Sequence, residues 1–153
     1  MKTSFLTILA FHMRDIREEK GVTQAEIAEK LGMTSAGWGK VENGKSTLSV
    51  ENLMKFCKLV DIDAQKILTI SQKTAKDLIQ NGWAVSYSQV ENDGLIEARG
   101  FSALANSKVD SGLQKAIKEG VDKSIADNAK NNILKYASIY ASISNMLPIK
   151  FKR

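Results

Sequence analysis

The sequence predicts a mainly α-helical protein, with a compact five-helix domain in residues 1–68 and a mostly helical region after it. Three observations support this fold class. Polar residues that favour helix N-termini alternate with short apolar segments of helical spacing through the first 68 residues. Only one proline, Pro148, occurs in 153 residues, so helices can continue without interruption. Hydrophobic residues make up 43% of the chain, which is enough to form a core at this length.

The first predicted helix contains the apolar run of residues 5–11 and ends before Gly21. Its core-facing side chains, spaced by three or four residues, are Leu9, Met13 and Ile16. The alternative interpretation of the run is a secretion signal. However, charged residues follow at 14–20 with no small-residue cleavage site before them, and the run is too short to span a bilayer. We therefore expect a cytoplasmic protein without a membrane segment.

Four further short helices are predicted, each with its own start signal. Their predicted N-caps are Thr23, Thr34, Ser49 and Asp63. Glu26 lies three residues after the first of these caps and completes a capping box. Gly32 supplies the left-handed residue that ends the second helix. The third helix is expected to run to about Glu42, before the turn Asn43-Gly44.

The period of the sequence changes after a connecting helix predicted over residues 69–82. Apolar and polar residues then alternate, and turn residues intervene at 91–94. This pattern predicts two strands, at about 83–90 and 95–99, joined as a β-hairpin. An irregular helix or a loop is the alternative for this stretch.

Helical spacing returns at Val109, and residues 133–147 are apolar nearly all round. Glycines interrupt the spacing, so two helices are expected here in place of one long helix. An apolar helix of this length packs against other helices, within or between subunits. We therefore expect residues 83–153 to supply a dimerisation or regulatory region.

Catalysis and metal binding are not predicted. One histidine, His12, and one cysteine, Cys57, cannot supply the four ligands of a zinc site, and no nucleophile–base arrangement can be assembled from them. We expect His12 to be a surface group on the first helix and Cys57 to lie on the buried face of the fourth. The sequence thus predicts no catalytic residue, no metal and no cofactor. The formal charge of +5 is only mildly basic for a chain of this size.

Residues 24–41 have the spacing of a helix-turn-helix. Apolar residues fall where the two helices face each other and the core, at Ile27, Leu31, Met33, Trp38 and Val41. A small residue, Ala28, lies where the helices cross, and Gly32 tolerates the positive φ of the turn. Because every one of these positions agrees at a fixed spacing, the pattern is specific.

The stretch Val22-Thr23-Gln24-Ala25-Glu26-Ile27-Ala28-Glu29-Lys30-Leu31-Gly32, followed by Val41-Glu42-Asn43-Gly44-Lys45, resembles the lambda-repressor/Cro-like family of helix-turn-helix domains, over roughly residues 6–68. The resemblance implies a DNA-binding domain that acts as a dimer on a two-fold-related operator, with the helix at 35–42 in the major groove. The expected function is that of a sequence-specific transcriptional regulator, a repressor that binds double-stranded DNA as a homodimer. The alternative is an antitoxin or antirepressor-controlled module whose C-terminal half binds a partner protein.

The resemblance also assigns DNA-contacting positions. The candidate set is Thr23, Gln24, Thr34, Ser35, Ala36, Gly37, Gly39, Lys40, Asn43, Lys45 and Ser46. The residues nearest the bases are expected to be Thr34, Ser35, Ala36 and Lys40. Gln24, at a helix N-terminus, is expected to contact a backbone phosphate, and so are Asn43, Lys45 and Ser46 in the loop after the third helix.

The predicted reading helix departs from the family pattern. Its side chains at Ser35 and Ala36 are too short for bidentate base contacts, whereas Lys40 suits guanine. Gly37 and Gly39 weaken the helix but allow a close approach of its backbone to DNA. Two further expectations are structural. Arg17 and Glu42 match positions that pair in the family, so the resemblance implies that they brace the first helix against the third. Trp38 is expected to pack in the core, and the alternative for it is stacking on DNA.

Overall fold

The computed structural model describes residues 1–106, with the backbone alone described at 101–106. The six helices of this part of the chain are α1 Phe5–Glu19, α2 Gln24–Leu31, α3 Ser35–Glu42, α4 Val50–Leu59, α5 Ala64–Gln80 and α6 Gly94–Asn106. Two short strands, β1 Lys2–Ser4 and β2 Ala84–Ser86, pair in parallel with Thr3 opposite Val85. The helices expected from Val109 onward, including 133–147, lie outside the described residues. None of the described helices is long and apolar enough to cross a membrane.

The predicted N-caps are confirmed at all four positions. The side chains of Thr23, Thr34, Ser49 and Asp63 each accept a hydrogen bond from a backbone N–H two or three residues further on. Glu26 completes the capping box, and its hydrogen bonds from Thr23 hold the pKa of this carboxyl below its usual range. Gly32 ends α2 with a φ of 67°, in the left-handed region where glycine is favoured. Local side-chain chemistry therefore fixes the helix boundaries.

The core of the first five helices lies between α1, α2, α3 and α4, with the start of α5 beside it. Trp38 is fully buried there and its ring stacks on Phe56, with the ring centroids 5.6 Å apart. Cys57 is buried on α4 as expected, and burial raises the pKa of its thiol. The α5 helix continues without a break across residue 68 and packs along α1. The other fully or largely buried apolar residues of this core include Leu9, Met13, Ile16, Ile27, Leu31 and Ile67.

The predicted β-hairpin is wrong. Of the stretch 83–90, only residues 84–86 form a strand, and this strand pairs with β1 at the start of the chain. Residues 95–99 are not a strand, because they lie in α6, where Leu95 and Ala98 are buried at helical spacing. The chain divides into two compact units, and the boundary falls between Asp93 in the first and Gly94 in the second.

Long-range hydrogen bonds of Asp93 explain why the expected turn does not close a hairpin. The buried carboxylate accepts hydrogen bonds from the Thr3 hydroxyl at 2.8 Å, the Ser4 backbone N–H at 3.0 Å and the Thr7 hydroxyl at 2.8 Å. It thus satisfies polar groups at the N-terminus of α1, 86 to 90 residues away in sequence. These contacts bring β2 beside β1, and the strand pairs there instead of with its own neighbour.

The expected surface position of His12 is also wrong. His12 is only 1% exposed, and its Nε2 lies 3.0 Å from the hydroxyl of Thr74 on α5. The physical reason is that α5 packs along α1 and places Thr74 against the His12 side chain, in addition to the contacts of α1 with the core of the helix-turn-helix. Burial without a compensating charge lowers the pKa of His12 to about 4.

Candidate DNA-binding surface

A short turn joins the α2 and α3 helices. The Met33 backbone N–H donates to the Ala28 carbonyl at 2.8 Å, which closes the end of α2 around Gly32. Two residues later α3 begins at Ser35, with Thr34 as its cap. Ile27 and Ala28 of α2 are buried in the core. The turn is therefore fixed by packing and by backbone hydrogen bonds together.

The α3 helix has one buried and one exposed side. Trp38, Val41 and Glu42 face inward and are fully or almost fully buried. The side chains exposed on the opposite side are Ser35, Ala36 and Lys40, three of the four residues expected nearest the bases. Thr34, the fourth, is exposed as well, but its hydroxyl accepts the Gly37 backbone N–H and so caps the helix. An exposed helix with short side chains is suited to close contact with a groove.

A buried carboxylate holds α1, α2 and α3 together beneath this surface. Glu42 is 0% exposed and accepts two hydrogen bonds from Arg17, at 2.6 Å from Nε and 3.0 Å from Nη2. The indole N–H of Trp38 donates to the same carboxylate at 2.7 Å, and the side-chain amide of Gln24 donates at 2.8 Å. Arg17 also donates to the Val22 carbonyl at 2.8 Å. The expected Arg17–Glu42 brace is confirmed, and every charge within it is paired.

Two of these donors were not anticipated from the sequence. Trp38 precedes Glu42 by four residues, so the two side chains meet on one face of α3. The Trp38–Glu42 contact could therefore have been predicted from this four-residue spacing. The contact of Gln24 with Glu42 depends instead on how α2 and α3 cross, and no local pattern indicates it.

The remaining predicted DNA contacts differ in how accessible they are. Lys45 is exposed and Ser46 is half-buried, in the loop after α3. Asn43 is held on both sides, because its amide donates to the Gly39 carbonyl at 2.7 Å and its oxygen accepts from Arg14 at 3.2 Å. Thr23 is exposed and belongs to the α2 capping box. The predicted set therefore lies along α3, the start of α2 and the loop between α3 and α4.

The two glycines of α3 have different surroundings. A Cβ at Gly37 would lie 3.0 Å from the Thr34 hydroxyl, which is too close for the capping geometry to persist unchanged. A Cβ at Gly39 would meet the side-chain oxygen of Gln24 at 3.4 Å, an ordinary contact distance. Neither glycine has a left-handed φ. The fold thus gives a reason for glycine at 37 and none at 39.

The helix-turn-helix family matches residues 13–67 of this chain. Residues 13–67 are a Cro/C1-type helix-turn-helix domain. No curated protein matches the chain. The domain is of a DNA-binding type, which indicates a DNA-binding transcriptional regulator and is typical of proteins that are not enzymes. The matched range begins within α1 and ends within α5, and it contains every residue of the predicted DNA-contacting set.

Proposed function

We propose that this protein is a sequence-specific transcriptional repressor that binds double-stranded DNA as a homodimer and reads the major groove with α3. The observation that carries the proposal is the two-sided character of α3 within a helix-turn-helix domain. Its inner side is fixed in the core by Trp38 and Glu42, and its outer side offers Ser35, Ala36 and Lys40 to solvent. A two-fold-related operator with half-sites about one helical turn apart is expected.

Each part of the surface has a distinct role in this proposal. Lys40 is the one long polar side chain on the outer side of α3, and it would donate to the O6 and N7 atoms of guanine. The methyl group of Ala36 would contact a thymine methyl, while Ser35 adds a short polar contact. Gln24, Lys45 and the adjacent backbone N–H groups would bind phosphates, which set the position on the duplex without reading sequence.

Binding-site selection on random DNA, followed by affinity measurements on the selected operator, tests the reading role of α3. We expect Lys40→Ala to weaken operator binding by about 1–3 kcal/mol per half-site and to relax the preference for guanine. The matched control is Lys76→Ala, which removes the same charge from an exposed position on α5. If Lys40→Ala and Lys76→Ala have the same affinity and the same selected sequence as the wild-type protein, α3 does not read DNA in this way.

The mass of the protein–operator complex tests the dimer, and transcription from a promoter that contains the operator tests repression. Two chains per operator and reduced transcript are the expected results. One chain per operator, or increased transcript, would contradict the dimer and the repressor role respectively. A second protein that co-purifies in a fixed ratio and removes DNA binding would favour the antitoxin-like alternative for residues 83–153.

A further inference from the structure

We propose that Glu42 is a positioning residue for DNA binding, because it orients the side-chain amide of Gln24 so that one N–H remains for a backbone phosphate. This inference rests on the proposed function, since it concerns how the same surface holds DNA. It assigns to the buried Glu42 carboxylate a role beyond bracing α1 against α3.

The hydrogen bonds of Glu42 exceed what an ion pair needs. Arg17 alone contacts both carboxylate oxygens, at 2.6 Å and 3.0 Å. A two-pronged arginine contact of this kind is a complete ion pair. The amide of Gln24 nevertheless approaches the Oε2 atom of Glu42 at 2.8 Å. With the two Arg17 nitrogens and the Trp38 indole, the Gln24 amide is the fourth donor to this carboxylate. Gln24 is the first residue of α2, at the edge of the predicted DNA-contacting surface.

The chemistry of the carboxylate fixes which way the Gln24 amide points. A carboxylate accepts hydrogen bonds and donates none, so only the NH₂ group of Gln24 can face it. The amide oxygen then lies on the other side, toward Gly39, where a Cβ would be 3.4 Å away. A phosphate also only accepts. Glu42 therefore selects the one orientation of the amide that is useful to a phosphate.

The NH₂ group has two hydrogens, and the Glu42 contact uses one of them. The second hydrogen is left for a phosphate oxygen beside the N-terminus of α2, where the helix dipole also favours an anion. Gln24 is half-buried, and the contact with Glu42 fixes the orientation of its amide. A side chain that is already oriented for its phosphate contact loses less conformational entropy when DNA binds.

A double-mutant cycle on DNA affinity tests the proposal with Gln24→Met and Glu42→Gln. Each single variant is expected to weaken binding to operator and to random DNA by about tenfold for each bound subunit, which is the loss of one hydrogen bond to a charged group. The double variant is expected to be no weaker than either single one, because both changes remove the same oriented N–H. The matched control is Gln65→Met, an exposed glutamine in the first turn of α5, which should bind DNA as the wild type does.

Losses that multiply, to about a hundredfold for each bound subunit in the double variant, would overturn the proposal, since the two residues would then act separately. If the wild-type protein binds no DNA at all, the proposed function itself fails. Helical content measured by circular dichroism shows whether Glu42→Gln folds. A purely structural Glu42 would lower stability without this saturation of the affinity loss.

Should Glu42→Gln not fold, the side-chain amide signals of Gln24 in the wild-type protein decide the question by NMR. Their assignment follows from their loss in Gln24→Met. We expect one amide proton to exchange slowly with water in the free protein, and the other to shift when operator DNA is added. Two protons that exchange as fast as those of Gln65, or that do not respond to DNA, would overturn the proposal.

Discussion

His12 makes the stability of the domain depend on pH in a way that can be calculated. The ring is 1% exposed between α1 and α5, and its Nε2 lies 3.0 Å from the Thr74 hydroxyl. Among the residues that the structure describes, none forms a hydrogen bond with the Nδ1 atom. Burial lowers the pKa of His12 from 6.5 to about 4, so the folded protein holds the ring neutral at pH values where an unfolded chain protonates it.

The direction and size of the effect follow from these two pKa values. At about pH 7.5 and above the ring is almost wholly neutral in both states, and His12 adds almost no pH dependence. Below it the unfolded chain binds the proton first, so the free energy of unfolding decreases as the pH falls toward 4. The loss is about 2 kcal/mol at pH 5 and approaches about 3 kcal/mol below pH 4.

Urea titrations of the wild-type protein and of His12→Met, at about pH 7.5 and about pH 5, measure this loss. The chain has a single histidine, so the difference between the two proteins isolates His12 from the carboxylates that also titrate. The wild type should lose about 2 kcal/mol more than the variant between the two pH values. Thr74→Ser keeps the hydroxyl and should retain the loss. Equal losses in the wild type and His12→Met would refute a buried neutral histidine.

Substitutions at three other positions test the fold and the reading helix. Asp93→Ala should lower the free energy of unfolding by about 3 kcal/mol, measured by urea titration, because the buried donors from Thr3, Ser4 and Thr7 lose their shared acceptor. Asp93→Asn, which keeps one oxygen, should cost less. Gly39→Ala should raise the free energy of unfolding by about 1 kcal/mol, which is seen as a higher melting temperature. It should also weaken operator binding if DNA approaches the α3 backbone at this position. Gly37→Ala should show no such gain, since its Cβ would disturb the helix cap; an equal gain at both positions would contradict this distinction.

Local chemistry explains which parts of the fold the sequence could predict. A cap such as Thr23 and its partner Glu26 lie within one turn, so their pairing can be predicted from four consecutive positions. The left-handed end of α2 depends on Gly32 alone. The buried faces followed from three- and four-residue spacing, as with Trp38 and Val41. These features need no information about distant segments.

The errors came from contacts between distant segments. The alternation around Val85 correctly indicated an extended chain, but its partner strand lies more than 80 residues earlier. Asp93 looked like a turn residue, and its buried role appears only when α1 is placed beside it. His12 looked exposed because one face of α1 already accounted for the core, and the packing of the predicted helix at 69–82 against α1 was not foreseen. The DNA-contacting set was obtained from the resemblance, and it stays a prediction.

The charge distribution of the domain constrains how it can hold a polyanion. Residues 1–68 contain 10 Lys and Arg against 9 Asp and Glu, so net charge contributes little attraction. Arg17 is committed to the buried Glu42, and Arg14 pairs with Glu18 at 2.8 Å. Besides Lys45, the proposed phosphate contacts are neutral N–H groups, such as the oriented amide of Gln24 and the first backbone N–H groups of α2. Because few cations would be displaced by such contacts, the affinity for DNA should fall less steeply with salt than for a surface built on lysines.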